Sequence, residues 1–195
     1  MKIEIRMKKI VYVFLLLVIP FIGHSQSMFE LSGFGKAGFD IRTQPMYTAG
    51  AHFEWQPKSG NIGLNYSLRF GRDKDANFLF QCPISALTSL LAVAFLADCD
   101  SDLPGIGLLL CLIPEGLSYN IWMNEDFAIT PYVNPLLLEV SNEHIAPVVE
   151  AGAKMKIFCG EHIFGCAELG LQMPYTTQMI SSWTGLSLGD RKSVV

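Results

Sequence analysis

Apolar and polar residues alternate one by one along much of this chain. Across residues 47–55 the odd positions are apolar or aromatic, and the even positions include His52 and Glu54. After a turn at residues 57–60 the alternation resumes, and apolar residues then occupy the even positions of residues 62–70. Strict alternation is typical of a β-strand whose two faces meet different surroundings. The pattern therefore predicts a sheet with one apolar and one polar face.

Eight segments follow this alternation, and the connections between them are alternately short and long. Short turns join the second predicted strand to the third, the fourth to the fifth and the sixth to the seventh. The longer connections fall at the other end, except that residues 42–46 are no more than a turn. This organisation predicts an all-β fold with a helical insertion, namely an eight-stranded antiparallel up-and-down transmembrane β-barrel. The predicted strands are residues 29–41, 47–55, 62–70, 117–123, 127–134, 149–157, 163–173 and 182–189.

The N-terminal residues predict export. Basic residues precede an uncharged apolar run at residues 10–22, and small residues follow it. The run is too short to span a membrane as a helix, so residues 1–25 are predicted to be a cleavable secretory signal peptide. Residues 26–195 would then form a single barrel domain. The chain has a net charge of −4, which becomes more negative after cleavage and argues against nucleic acid as a partner, because that partner requires a basic surface.

The five cysteines bear on redox state and on metal binding. Export implies an oxidising compartment, and an odd number of cysteines leaves at least one thiol free or paired between chains. Cys82 and Cys99 flank one apolar segment and are the first choice for a disulfide. The alternative is that the cysteines are small buried hydrophobic residues. No Cys or His spacing typical of a metal site occurs, so no metal and no cofactor is predicted.

Two features favour lipid, rather than a protein interior, as the medium around the apolar face. Aromatic residues of that face lie near predicted strand ends, as Phe39, Trp55 and Phe70 do, and such positions resemble the interfacial girdles of membrane barrels. The polar face combines opposite charges with glycines, which would fill a narrow lumen with ion pairs. The predicted lumen polar cluster is Glu30, Lys36, Asp40, His52, Glu54, Arg69, Glu150, Lys154 and Glu168.

With these features the chain resembles the small eight-stranded outer-membrane β-barrel proteins of Gram-negative bacteria. The resemblance covers residues 29–71 and 116–189. It implies an outer-membrane location, membrane lipid as a partner, and a structural or cell-surface binding role. Side chains fill the interior of an eight-stranded barrel, so no general pore is expected. Proteins of this class usually end in an aromatic residue, whereas this chain ends in Val195, and its eighth strand is the weakest one predicted.

Two other functions are consistent with the same pattern. A soluble periplasmic barrel would point the apolar face inward around an apolar ligand. A lipid-modifying outer-membrane enzyme would need a histidine, a carboxylate and a hydroxyl, for which His52, Glu54 and Ser67 are the candidates. Any lumen lining places two residues such as His52 and Glu54 on one face, so the chain is predicted to have no catalytic residues.

Residues 78–114 form an apolar insertion between the third and fourth predicted strands. Residues 83–97 are uncharged and rich in alanine and leucine, which favours a helix too short to cross the hydrocarbon core of roughly 30 Å. Asp98, Asp100 and Asp102 follow, and they are interpreted as a solvated turn because no glutamate stands at the spacing of a calcium loop. The insertion is predicted to close one barrel end as a self-packed cap, or to contact lipid or a surface or envelope protein.

Overall fold

The computed structural model describes residues 27–40, 45–57, 61–73, 75, 77–97, 110–142, 145–176 and 180–194. The predicted signal peptide at residues 1–25 lies outside them and stays a prediction. One α-helix, α1 (Ile84–Ala97), and one 3-10 turn (Leu110–Leu112) are present in this part of the chain. The strands are β1 (Ser27–Asp40), β2 (Pro45–Gln56), β3 (Ile62–Arg72), β4 (Phe78–Pro83), β5 (Gly116–Tyr119), β6 (Ile121–Asn124), β7 (Phe127–Ser141), β8 (Ile145–Cys159), β9 (Ile163–Pro174) and β10 (Ser181–Val194).

The strands form one antiparallel sheet that closes on itself. Consecutive long strands pair with each other, and β1 pairs with β10 from Ser27 opposite Val194 to Asp40 opposite Ser181. Closure pairs the long strands on both sides and satisfies backbone groups between them. The eighth predicted strand is longer than expected, because β10 stays in register with both β1 and β9. The predicted eight-stranded antiparallel barrel is therefore confirmed.

Three short strands share the fourth position in the barrel wall. β4 pairs with one half of β3, where Arg69 lies opposite Gln81, and β5 pairs with the other half, where Asn65 lies opposite Gly116. β7 closes the other side of this position by pairing with β4, β5 and β6. The insertion thus interrupts the fourth strand instead of preceding it.

This arrangement corrects two predicted boundaries. The predicted insertion at residues 78–114 includes Phe78–Pro83, which is a strand because it has partners on both sides, in β3 and β7. The longer connection predicted between the fifth strand, residues 127–134, and the sixth, residues 149–157, is also mostly strand, and residues 142–144 alone separate β7 from β8. β7 accommodates Pro135 because its register with β8 shifts between Asn134 and Leu137, and a shift of this kind tolerates a missing backbone donor.

The two faces of the barrel are the reverse of those in a soluble protein. Leu169 and Leu186 are 69% and 73% exposed on the outside, whereas Glu54 and Glu150 are fully buried inside. A soluble protein does not expose a continuous apolar surface of this kind to water. An apolar exterior around a polar interior is the arrangement found in membrane-spanning barrels.

Candidate functional site

Eight of the nine predicted lumen residues lie on the inner face of the barrel, where alternation directs them. Seven of them are buried, and His52 is half-buried. Asp40 is the last residue of β1, and its side chain lies outside the described part of the structure. The buried ones are Glu30, Lys36, Glu54, Arg69, Glu150, Lys154 and Glu168.

One ion-pair network lies towards the barrel end that carries the short turns, and Lys156 is at its centre. The Lys156 Nζ donates to Glu30 Oε2 at 2.6 Å and to Glu54 Oε2 at 2.9 Å. It also donates to Asn120 Oδ1 at 3.1 Å. The predicted cluster omits Lys156, although it follows Lys154 at the spacing of two that defines the inner face. Since all three charged groups are buried, each depends on the others for its neutralisation.

A second network crosses the middle of the lumen and joins four of the predicted residues. The Lys36 Nζ lies 3.0 Å from Glu150 Oε1 and 2.6 Å from Glu168 Oε1. The Arg69 Nη2 lies 2.6 Å from the other Glu150 oxygen. The Tyr132 hydroxyl donates to Glu168. The network therefore connects β1, β3, β7, β8 and β9 across the barrel axis.

Glu115 extends the second network to the interruption in the wall. Its carboxylate accepts hydrogen bonds from the Ser67 backbone N–H and hydroxyl, and lies 3.7 Å from Arg69 Nη2. Sequence reasoning missed Glu115 because it stands just before β5, outside any alternating segment. The only available signal was its place beside Gly116, where the insertion ends.

Side chains fill most of the lumen in the part of the barrel that the structure describes. The cavity between the two networks measures about 10 Å³ and is lined by residues such as His52 and Lys154, which leaves room for about one water molecule. At the end with the short turns, the Arg191 guanidinium lies 5.0 Å from the Trp122 ring centre and 4.9 Å from that of Phe158. Phe158 in turn contacts Phe164, so aromatic rings fill this end.

The three residues considered for acyl-transfer chemistry have other partners. Ser67 lies directly opposite His52 in the β2–β3 register, as the alternative prediction required. The Ser67 hydroxyl nevertheless donates to Glu115 at 2.9 Å, and the His52 Nε2 lies 2.9 Å from Lys154 Nζ. Glu54 belongs to the Lys156 network. This geometry gives the Ser67 hydroxyl a carboxylate as its acceptor, instead of the histidine that nucleophilic catalysis would use.

The described parts of the insertion, α1 and the 3-10 turn, lie against the outside of the barrel. Helix α1 contains no charged residue, and Leu90 and Leu91 are 69% and 50% exposed. An uncharged and largely apolar helix is stable where its surroundings are apolar. The Tyr66 hydroxyl of β3 donates to the carbonyl of Leu112 at 2.7 Å, and this bond ties the insertion to the wall.

Two further predictions about the insertion involve residues that the structure does not describe. Cys82 is buried in β4, but Cys99 lies outside the described residues, so the Cys82–Cys99 disulfide stays a prediction. The interpretation of residues 98–102 as an acidic turn falls in the same undescribed range.

No helix within the described ranges is long and apolar enough to span a membrane. No group of three or more potential metal ligands occurs in the part of the chain that the structure describes.

A closed antiparallel barrel with eight wall positions, an apolar exterior and an ion-paired interior defines a class, the small outer-membrane β-barrels. The predicted resemblance to this class is thus confirmed, and solved structures with the same fold support it. The chain is similar to the N-terminal β-barrel domain of OprF from Pseudomonas aeruginosa, with a TM-score of 0.54, 13% identity, and coverage of 87% of this chain and 100% of that chain. It is also similar to Neisserial surface protein A, with a TM-score of 0.51, 4% identity, and coverage of 84% and 96%.

The two solved structures show the fold alone, because identities this low do not carry over residue roles. No family model matches the chain, and no curated protein matches it. Functional conclusions therefore depend on the arrangement of this chain's own residues.

Proposed function

We propose that this protein is an integral outer-membrane β-barrel with a structural or cell-surface binding role and no catalytic activity. One observation carries the proposal: leucine, isoleucine and other large apolar side chains cover the outer surface, whereas most charged side chains of the barrel wall are buried inside. Only hydrocarbon around the barrel makes this arrangement favourable, since about 25 cal/mol is gained for each Å² of apolar surface removed from water. The predicted signal peptide is consistent with export to that membrane.

The interior supports a role other than transport or ligand storage. A soluble barrel that binds an apolar ligand needs an apolar cavity inside, whereas this lumen is filled by ion pairs around a cavity of about 10 Å³. A diffusion pore needs a continuous channel, which eight-stranded barrels are too narrow to provide. The outer surface and the barrel ends are therefore the parts available for contacts.

The class is tested by gel migration and by membrane extraction of the full chain. A folded membrane barrel resists detergent, so we expect the unboiled protein to migrate differently from the boiled protein. We also expect it to remain in the membrane pellet after a carbonate or urea wash. Identical migration before and after boiling, together with release by urea, would overturn the proposal and favour a soluble periplasmic protein.

A further inference from the structure

Helix α1, the 3-10 turn and the outer wall border an open apolar groove of about 320 Å³. This volume falls within the range of roughly 300–1,000 Å³ that is typical of small-molecule sites. The groove lies outside the lumen, and most of its wall residues belong to the outward-facing set of β1, β2 and β3, although it also borders the inward-facing residues His52 and Ser67. The main lining residues are Leu31, Ala51, Phe53 and Leu68 on the wall, with Ala86 and Cys111 on the insertion.

Two hydrogen bonds hold the insertion in place and so maintain the groove. The Tyr66 hydroxyl donates to the Leu112 carbonyl, and the Ser85 hydroxyl donates to the Ile113 carbonyl, both at 2.7 Å. The first bond joins the 3-10 turn to β3, and the second joins Ile113, the residue after that turn, to the start of α1. These two bonds hold α1 and the 3-10 turn together as the second wall of the groove.

The chemistry of the groove selects its occupant. Water would form few hydrogen bonds there, and an apolar cavity stays dry or takes up an apolar ligand. An empty groove would also forfeit the dispersion contacts of its lining atoms. Leu31 and Leu68 are 58% and 46% exposed on the surface that faces lipid, so the groove is open to hydrocarbon. A flexible unbranched hydrocarbon chain is the ligand that fits these surroundings.

A run of aromatic rings connects the groove to one membrane interface. The Trp55 and Phe29 rings stack near the short-turn end, with centres 6.3 Å apart. Phe53 lies 5.8 Å from Phe29 and 5.8 Å from Tyr66, centre to centre. In membrane barrels, aromatic side chains gather at the lipid–water interface, and the short turns lie on the periplasmic side. A lipid whose chain enters along this run would therefore come from the periplasmic leaflet.

From this geometry we propose that the groove holds one acyl chain of a phospholipid from the periplasmic leaflet. The inference rests on the proposed membrane location, and it adds a specific lipid site to it. The insertion then acts as a clamp that retains a lipid against the barrel, which gives the interruption of the fourth strand a function.

The test compares variants that fill the groove with variants that change the lipid-facing surface elsewhere. Ala51→Trp fills the groove from the wall, and Ala86→Phe fills it from the insertion. Ala153→Trp, on the outward face of β8, and Ala94→Phe, on the exposed side of α1, are the matched controls. Each full-length protein is folded into phosphatidylethanolamine vesicles, extracted in mild detergent and delipidated, and the retained lipid is counted by native mass spectrometry.

We expect the unmodified protein and both controls to retain one phospholipid, and both groove variants to retain at least tenfold less. Equal retention by groove variants and controls, or no retention by the unmodified protein, would overturn the proposal. Retention of lipopolysaccharide instead of phospholipid, in protein extracted from outer membranes, would overturn the choice of leaflet and lipid. Gel migration of every variant is checked in parallel, because loss of heat-dependent migration in all of them would contradict the proposed function instead.

Discussion

The Glu115 carboxylate replaces a missing strand by accepting a hydrogen bond from the Ser67 backbone N–H at 3.0 Å. That N–H points into the gap between β4 and β5, where a continuous fourth strand would offer a carbonyl. The Glu115 backbone also pairs across this gap, since its N–H donates to the Asn65 carbonyl and its carbonyl accepts from the Leu136 N–H, both at 2.9 Å. One residue therefore joins β3 to β7 at the level where the insertion leaves the wall.

This relationship predicts that Glu115→Ala destabilises the barrel more than Glu115→Gln does. Alanine leaves the buried N–H and hydroxyl of Ser67 without an acceptor, at a cost of about 1–3 kcal/mol for each lost partner, whereas glutamine keeps one acceptor oxygen. Urea unfolding in lipid vesicles, followed by tryptophan fluorescence, measures the difference. Glu161→Ala, in the exposed β8–β9 turn, is the control, and an equal midpoint for Glu115→Ala and this control would refute the role of Glu115.

A second prediction concerns Lys156 and the two carboxylates that it neutralises. Lys156→Met leaves Glu30 and Glu54 buried without their cation, and breaking a buried pair of this kind costs about 3–5 kcal/mol. We expect a large fall in the urea midpoint, and partial recovery when Glu54→Gln is added. Lys192→Met is the control because the Lys192 side chain is 72% exposed. Similar midpoints for both lysine variants would contradict the network.

Alternation in the sequence is sufficient to predict which residues face inward and which face outward. It does not predict that the fourth strand of the barrel is divided. It placed Lys36 and Glu54 on the inner face because that assignment depends only on a period of two. The strand Phe78–Pro83 was missed because Phe78, Leu79 and Phe80 are consecutive apolar residues. Its strand character comes from pairing with β3 and β7, which are distant in sequence.

The same physical limit explains which site residues were found. Members of the lumen cluster stand in long alternating segments, so their direction follows from their position. Glu115 acts at a gap that exists only because two half-strands end there, and nothing local in the sequence encodes that gap. The groove likewise depends on how the insertion folds back against Ala51 and Leu68, which is a tertiary relationship.

A third prediction tests the medium around the barrel. Leu186 lies on the outward face near the middle of β10, whereas Ile163 is the first residue of β9 and is 55% exposed. An arginine on the lipid-facing surface costs about 2–4 kcal/mol at the bilayer midplane and about 0–1 kcal/mol near the interface. Leu186→Arg should therefore lower the unfolding midpoint in vesicles far more than Ile163→Arg. Equal effects of the two would mean that the outer face does not cross a hydrocarbon layer.

The last prediction concerns catalysis, for which His52 is the decisive residue. The Ser67 hydroxyl already donates to Glu115, and the His52 ring contacts Lys154, so this pair is not arranged for acyl transfer. We expect cells that produce the unmodified protein, the His52→Asn variant or the Ser67→Ala variant to have the same outer-membrane lipid profile as cells without the protein. Mass spectrometry of extracted lipids provides the measurement, with equal protein levels verified on the same membranes. A lipid species made only by the unmodified protein, and lost in both variants, would establish an enzyme and refute the non-catalytic role.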